Sequence, residues 1–344
     1  PKHDHASVIK DIYDYVKTEE QLFTRPIEPI QGWSWGFKDH IRRSVLYKNS
    51  QFEDDNDDRE LRPFKNIIRP ILNIHYRTEG FDVKDIEIYV NNPDLYYKSF
   101  IVKKYHEKWA LENSLDTFID EVVESYVDFG GVLVKNIEGV RPEVVNLQSL
   151  AFCDQTDLLS GPFAIKHYFS PQQLRDMAKK GWGMDSNNAT IDIEALIELS
   201  EPNKQKDDQE QRSETPGKYI EIYEVHGTFP SYLIKGSSDE YTNQIHIIGY
   251  YKNQQNQDTG VTLFATKEPK LPFKLLKRDP IYGRALGFGG VEELFEPQVW
   301  TNLNEIQIQE MLQLASQTLF KTTDSTFKNR NNVKDLENGQ ILDL

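Results

Sequence analysis

The apolar positions along this chain follow two rhythms, one of three to four residues and one of two. Val8, Ile9, Ile12, Tyr13 and Val16 keep the helical spacing, so residues 6–22 are expected to form an amphipathic helix, with a second helix from Trp35 to Tyr47. Arg62 to Tyr76 reads as a helix in which Pro63 suits the first turn and Pro70 kinks or interrupts the later turns. Ile86 to Val90 alternates like a strand. A helix is expected near Leu95 to Leu111, and another where Leu115, Phe118, Ile119, Val122, Val123, Tyr126 and Val127 recur until Gly130 and Gly131 end it. The strand "VLVK" comes directly after, which predicts a helix packed on a sheet.

The middle continues in the same mixed manner. Strands are expected near Glu143 to Leu147 and Phe163 to Phe169, then a helix capped by Ser170, opened by Pro171 and ended by Gly181. Residues 200–218 contain no large apolar side chain and read as a mobile loop. "YIEIYEVHG" and "IHIIGYY" are further strands, joined by a hairpin or a longer excursion. No repeat of fixed period is present. The fold class expected is α+β.

After these strands, four glycines fall within the eight positions from Gly283 to Gly290, and a long helical pattern begins. A phosphate loop would need Lys and a hydroxyl residue after its last glycine, yet Gly290 is followed by Val291, Glu292 and Glu293. The dinucleotide spacing fails too, since Gly287 and Gly289 would require a glycine at 292. The glycines therefore read as a flexible corner at which the chain turns into a helix. From Ala285 to Phe320 there is no Lys or Arg; the charged residues are all Glu, the polar ones are chiefly Gln and Asn, and the apolar residues form no single stripe. Such a helix suits contact with two neighbours, and an ordinary buried helix of a monomer is the competing interpretation.

Composition narrows the classes. The 344 residues are 38% hydrophobic, enough for a core, and no run approaches the roughly 18 to 20 apolar residues of a membrane span. The first residues carry no apolar signal stretch, as expected of a soluble, unexported protein. A net charge of -15 opposes a broad grip on duplex nucleic acid, which depends on Lys and Arg displacing phosphate counterions. Cys153, the single cysteine, cannot form an internal disulfide and reads as a small hydrophobe beside Phe152. The start at Pro1 and the apolar end "GQILDL" suggest a piece of a longer polypeptide.

Candidate chemistry is sparse. "FEDDNDDRE" fails as a calcium loop, because Arg59 stands where glycine is needed if Asp54 is the first ligand. His3 and His5 could share a metal but have no third ligand close in sequence. Asp154 and Asp157 resemble a paired-carboxylate site, against the plainer role of turn-forming aspartates between strands. Glu221 and Glu224 fall on opposite faces of one strand and cannot act locally as an acid and base pair.

Order and residues together resemble the portal proteins of tailed bacteriophages. "IYGRALGFGGVEELFEPQVWTNLNE" is similar to that family's passage into the stem, with Tyr282, Gly283 and Arg284, a glycine-rich corner, and then Leu294, Gln298 and Asn302. "PEVVNLQSLAFCDQTD", "FAIKHYFSPQQLRDMAKKGW" and "YIEIYEVHG" are similar in order to the family's wing, and the resemblance spans residues 60–344. The Asn- and Ile-rich, Arg-poor composition points within the family to crAss-like gut phages.

The resemblance implies a dodecameric ring at one capsid vertex, assembled in the host cytoplasm and carried in the virion. Its implied partners are identical subunits, the major capsid protein, the terminase motor, the tail adaptor, and double-stranded DNA passing without sequence-specific contact. ATP would be used by the terminase, so no cofactor is implied for this chain. The division expected is an N-terminal helical arm (1–60), a wing (61–286), a stem helix (287–317) and the start of a clip (318–344), while the returning stem helix, tunnel loop and crown fall outside the chain. Tyr282, Gly283, Arg284, Gly287, Gly289 and Gly290 would form the stem hinge. Leu294, Gln298, Asn302, Gln307, Gln309 and Gln313 would face a neighbour or the channel. A metal-dependent nuclease using Asp154 and Asp157, or another ring-forming virion adaptor, are the alternatives.

Overall fold

The computed structural model describes residues 5–30, 33–53, 63–137, 139, 141–183, 193–200, 218–234, 240–252 and 258–316. Helices and sheets are both present, as the α+β expectation requires. The acidic stretch after Glu53, His3, most of the 200–218 loop and the clip segment lie outside the described residues, as does the His5 side chain.

A five-stranded antiparallel sheet runs in the order β5 (Leu150–Phe152), β6 (Phe163–Phe169), β7 (Ile220–Pro230), β8 (Tyr241–Lys252), β9 (Asp258–Lys267). The period-two pattern of β7 explains its two faces. Tyr223 and Val225 join a core that takes in Ile12 and Val16 of α1 (His5–Leu22), while Ile220 and Ile222 join a second core with Leu174 of α6 (Pro171–Ala178) and Leu196 of α7 (Ile193–Leu199). Helix α1 thus covers one face of this sheet. Tyr13 packs against Tyr250 with the rings tilted by 34° and centroids 4.8 Å apart, just where Gly260 leaves room for its ring.

A second sheet has the order β10 (Phe273–Lys277), β3 (Gly131–Lys135), β4 (Glu143–Val145), all antiparallel. Against it packs α5 (Leu115–Phe129), which Gly130 ends in the left-handed conformation at φ 76°. The buried side of α5, Ile119, Val123 and Val127, meets Ile68 and Leu72 of α3 (Ile68–Glu79) and Val291. Tyr47 of α2 (Phe37–Lys48) and Ala110 of α4 (Tyr96–Glu112) complete this third core. A short hairpin of β1 (Ile27–Ile30) and β2 (Trp33–Trp35) precedes α2.

Two expectations need correction. The α3 helix starts at Ile68 rather than Arg62, and Pro70 lies in its first turn, where the missing N–H has no intrahelical partner to lose. Ile86 to Val90 forms no strand: its alternation of half-buried and exposed side chains is real, but no strand among the described residues pairs with it. The cap on α6 is as expected, with Pro171 at the first position and Ser170 and Gln173 bonded reciprocally.

Candidate functional site: the glycine corner and its helix

The corner begins where β10 ends. Arg278 donates its backbone N–H to Gly130 O at 2.9 Å, and Gly287 donates to the same oxygen at 3.0 Å. Phe288 N in turn donates to Arg278 O at 3.0 Å, so the corner is a crossing of two main-chain segments over the end of α5. Glycine is demanded by closeness. A Cβ on Gly287 would stand 1.6 Å from Arg278 O, and one on Gly289 would stand 2.5 Å from Asp128 O. Gly283 differs, since its φ of 83° needs glycine for conformation while the space around it is open. The amides a phosphate loop would turn outward at Gly287 and Phe288 are thus already committed to carbonyls of this chain.

Arg284 locks the corner from inside. It is 3% exposed, donates to both carboxylate oxygens of Glu292 at 2.9 and 2.8 Å, and lies over the Trp35 ring at 4.7 Å. Glu292, read from sequence only as a charge hostile to phosphate, is the partner of a buried guanidinium, and as a first-turn acid it also complements its helix end. Ala285 N donates to Gln155 O, and the Gln155 side chain ties Phe37 N and Arg25 O together at 2.9 and 2.7 Å. Arg278 reaches Glu79 and Phe288 O. Tyr282, by contrast, is wholly exposed. The roles of Gln155, Arg278 and Trp35 are not legible in the sequence, since they depend on partners far along the chain.

The helix expected over 287–317 is divided. A single turn, α8 (Gly290–Glu293), ends at Leu294, and α9 runs from Phe295 to Ser316 with Pro297 in its first turn. Leu294 is half-buried against the third core. Gln298 and Asn302 are buried within this chain rather than turned to a neighbour or a channel. Gln298 accepts from Ile67 N and donates to Lys65 O, both at 2.8 Å, and Asn302 Oδ1 accepts from Gln298 Nε2. Beyond Asn302 the helix leaves the body. Gln307, Gln309 and Gln313 are exposed, and so are Ile308, Met311, Leu312 and Leu314.

Two other sequence candidates resolve simply. The Asp154 carboxylate accepts from Thr156 N, Thr156 Oγ1 and Ser160 Oγ, a self-contained turn, while the Asp157 carbonyl accepts from Ser160. Burial works against the ionised Asp154, but these bonds prevail and hold its carboxyl below the usual range. Among the described residues no group of three or more His, Cys, Asp or Glu could hold a metal ion. Glu221 and Glu224 do face opposite ways: Glu221 meets Lys17 and Lys166, and Glu224 meets Lys135.

Glu224 anchors a buried polar cluster the sequence did not reveal. His226 Nε2 lies 2.9 Å from Glu224 Oε1, its Nδ1 lies 2.7 Å from Glu268 Oε2, and His167 approaches the other Glu224 oxygen at 2.9 Å. Burial alone would neutralise His226, but the two carboxylates outweigh it and raise its pKa. Burial would likewise raise Glu224, yet His167, His226 and Lys135 hold it well below the carboxylate range. Nearby, His246 Nε2 lies 2.9 Å from Gln244 Oε1, and burial followed by the charge of His226 lowers its pKa to about 4.

No family model and no curated protein matches the chain. The glycine corner and α9 remain its most distinctive construction, and no helix among the described residues is long and apolar enough to cross a membrane.

Proposed function

We propose that this chain is a subunit of a tailed-bacteriophage portal: a ring at one capsid vertex that acts as a conduit for DNA and a docking point for terminase and tail adaptor. Support comes chiefly from the outer half of α9. It leaves the body after Asn302, bears no Lys or Arg, and keeps Ile308, Met311, Leu312 and Leu314 in water. Apolar residues on a projecting helix are covered at low cost by identical neighbours, and a cation-free wall gives passing phosphates no fixed electrostatic wells. The corner, expected from sequence to be flexible, is a close main-chain crossing, and this agrees with a part that sets the direction in which α9 departs.

The test is the assembly of the parent protein, by negative-stain imaging and light scattering coupled to size exclusion. The expected result is a discrete ring with an axial hole. A monomer under all salt conditions overturns the proposal.

A further inference from the structure

Among the described residues, α4 as well as α9 leaves several large apolar side chains in water. On α4, Tyr97, Phe100, Ile101 and Tyr105 share a face by their i, i+3, i+4, i+8 spacing, and Ile101 is 63% exposed. Lys104 and Lys108 continue that face toward the helix C-terminus. On α9, Ile308, Met311, Leu312 and Ala315 share a face at i, i+3, i+4, i+7, with Leu312 65% exposed, and Glu305 continues it toward the N-terminus. The two stripes are complementary in order and in charge. Lys108 lies seven residues after Ile101, and Glu305 lies seven residues before Leu312, so each is two helical turns from the apolar centre of its stripe.

We infer that α4 of one copy docks antiparallel on the outer half of α9 of a second copy, apolar stripe on apolar stripe, with Lys104 and Lys108 beside Glu305. Only the antiparallel direction satisfies both features; a parallel pair would set the lysines of α4 against Met311 to Ala315. The present partners of the charges do not oppose the exchange. Lys104 pairs with Glu107 at 2.7 Å, Lys108 with Glu112 at 3.6 Å and Glu305 with Lys65 at 2.7 Å, all on the surface, where such pairs contribute little. Because the contact joins two different faces of the same chain, it is heterologous: each copy offers α4 to one neighbour and α9 to the other. A repeated contact of that kind closes into a ring if its rotation permits. The inference rests on the ring proposed above only for that closure.

Charge reversal tests the contact on the full chain, with circular dichroism confirming the fold. Lys104→Glu with Lys108→Glu, and separately Glu305→Lys, should each weaken self-association by about tenfold or more. Mixing the two variants should restore it, since α4 of each then meets a complementary α9 of the other. Leu312→Ser should weaken association without rescue by mixing. Association unchanged in the charge variants, or no recovery on mixing, overturns the inference.

Failure of the ring is separable. Wild-type chains that associate through this pair into a dimer or an open filament keep the contact and sink the ring. A ring indifferent to Lys108→Glu keeps the ring and sinks the contact, and a wild-type monomer at every concentration sinks both. Flotation with anionic vesicles checks another occupant: capture that needs Lys104 and Lys108, without self-association, would assign α4 to a lipid surface and overturn the inference.

Discussion

Gln298 and Asn302 stand one turn apart on α9, joined by a 2.8 Å bond from Gln298 Nε2 to Asn302 Oδ1, and together they replace a strand partner for residues 65–67. Lys65 N also reaches Asn302 Oδ1 at 3.3 Å. A helix thereby satisfies the polar edge of an extended segment through two side-chain amides. This fastens the first half of α9 to the body and leaves its second half free to project.

Gln298→Ala is therefore expected to destabilise the fold by about 1 to 3 kcal/mol, because Ile67 N–H and Lys65 C=O lose their partner in a buried place. Gln298→Glu keeps the acceptor but sets a carboxylate against the Lys65 carbonyl, and should cost at least as much. Urea unfolding checks both. A midpoint unchanged by Gln298→Ala would show that the amide is not holding the segment.

Glycine substitutions should separate by cause. Gly287→Ala forces a methyl into the Arg278 carbonyl and is expected to cost about 3 kcal/mol or more. Gly283→Ala meets open space and carries only the left-handed backbone penalty, about 1 kcal/mol. Equal losses at the two positions, measured by denaturant midpoint, would contradict the close crossing.

The buried histidines set opposing limbs of a pH profile. The folded pKa of His246, about 4, is below its ordinary 6.5, so between these values the unfolded chain binds more protons and stability falls as pH falls. The full effect is about 3 kcal/mol. Burial lowers His40 as well and adds to the same limb, while Glu224, whose pKa is depressed, loses its contribution below the ordinary carboxylate range of about 4.5. His226 acts oppositely. Its raised pKa gives stability that is present below 6.5 and lost as pH rises through the folded value. Thermal unfolding across pH should show His246→Gln with a shallower acid limb between 6.5 and 4 than the native chain.

Lysine at Gln307, Gln309 and Gln313 should leave the fold of the single chain unchanged to within about 0.5 kcal/mol, since all three are exposed. In a portal ring the outcome depends on what each residue faces. Toward a channel, each lysine adds roughly one salt-sensitive phosphate contact and slows DNA passage. Toward a neighbour, it buries an unpaired charge and blocks assembly. Normal rings that package at the native rate would remove α9 from both roles.

Much of the secondary structure could be read directly from periodicity. Helices α1, α2, α4 and α5 and strands β6 and β7 match their expected spans within a few residues, because each has a rhythm complete within itself. Strands β9 and β10 had no assignment: β9 interleaves Thr with its apolar residues and β10 is five residues long, and each exists by virtue of a neighbour. Ile86 to Val90 shows the converse, a strand rhythm without a partner. At the corner, the glycine cluster marked the place but not its construction, since Gly130 and Gly287 meet only in the fold. Gln298 is expected from sequence to face a neighbour or the channel, because nothing local points to Ile67, which donates to it from 231 residues away.

The shared carbonyl of Gly130 has a mechanical consequence. The end of α5, the start of β3, the exit from β10 and the approach to α9 meet at one oxygen that accepts from both Arg278 and Gly287. Tension applied along α9 would load the side-chain amides of Gln298 and Asn302 and then pass into this knot of main chain. It would reach a helix and a sheet at once. A lever anchored in this way moves with its base, so displacement of the projecting tip must be matched by tilting of the whole body or by rupture at Gly130.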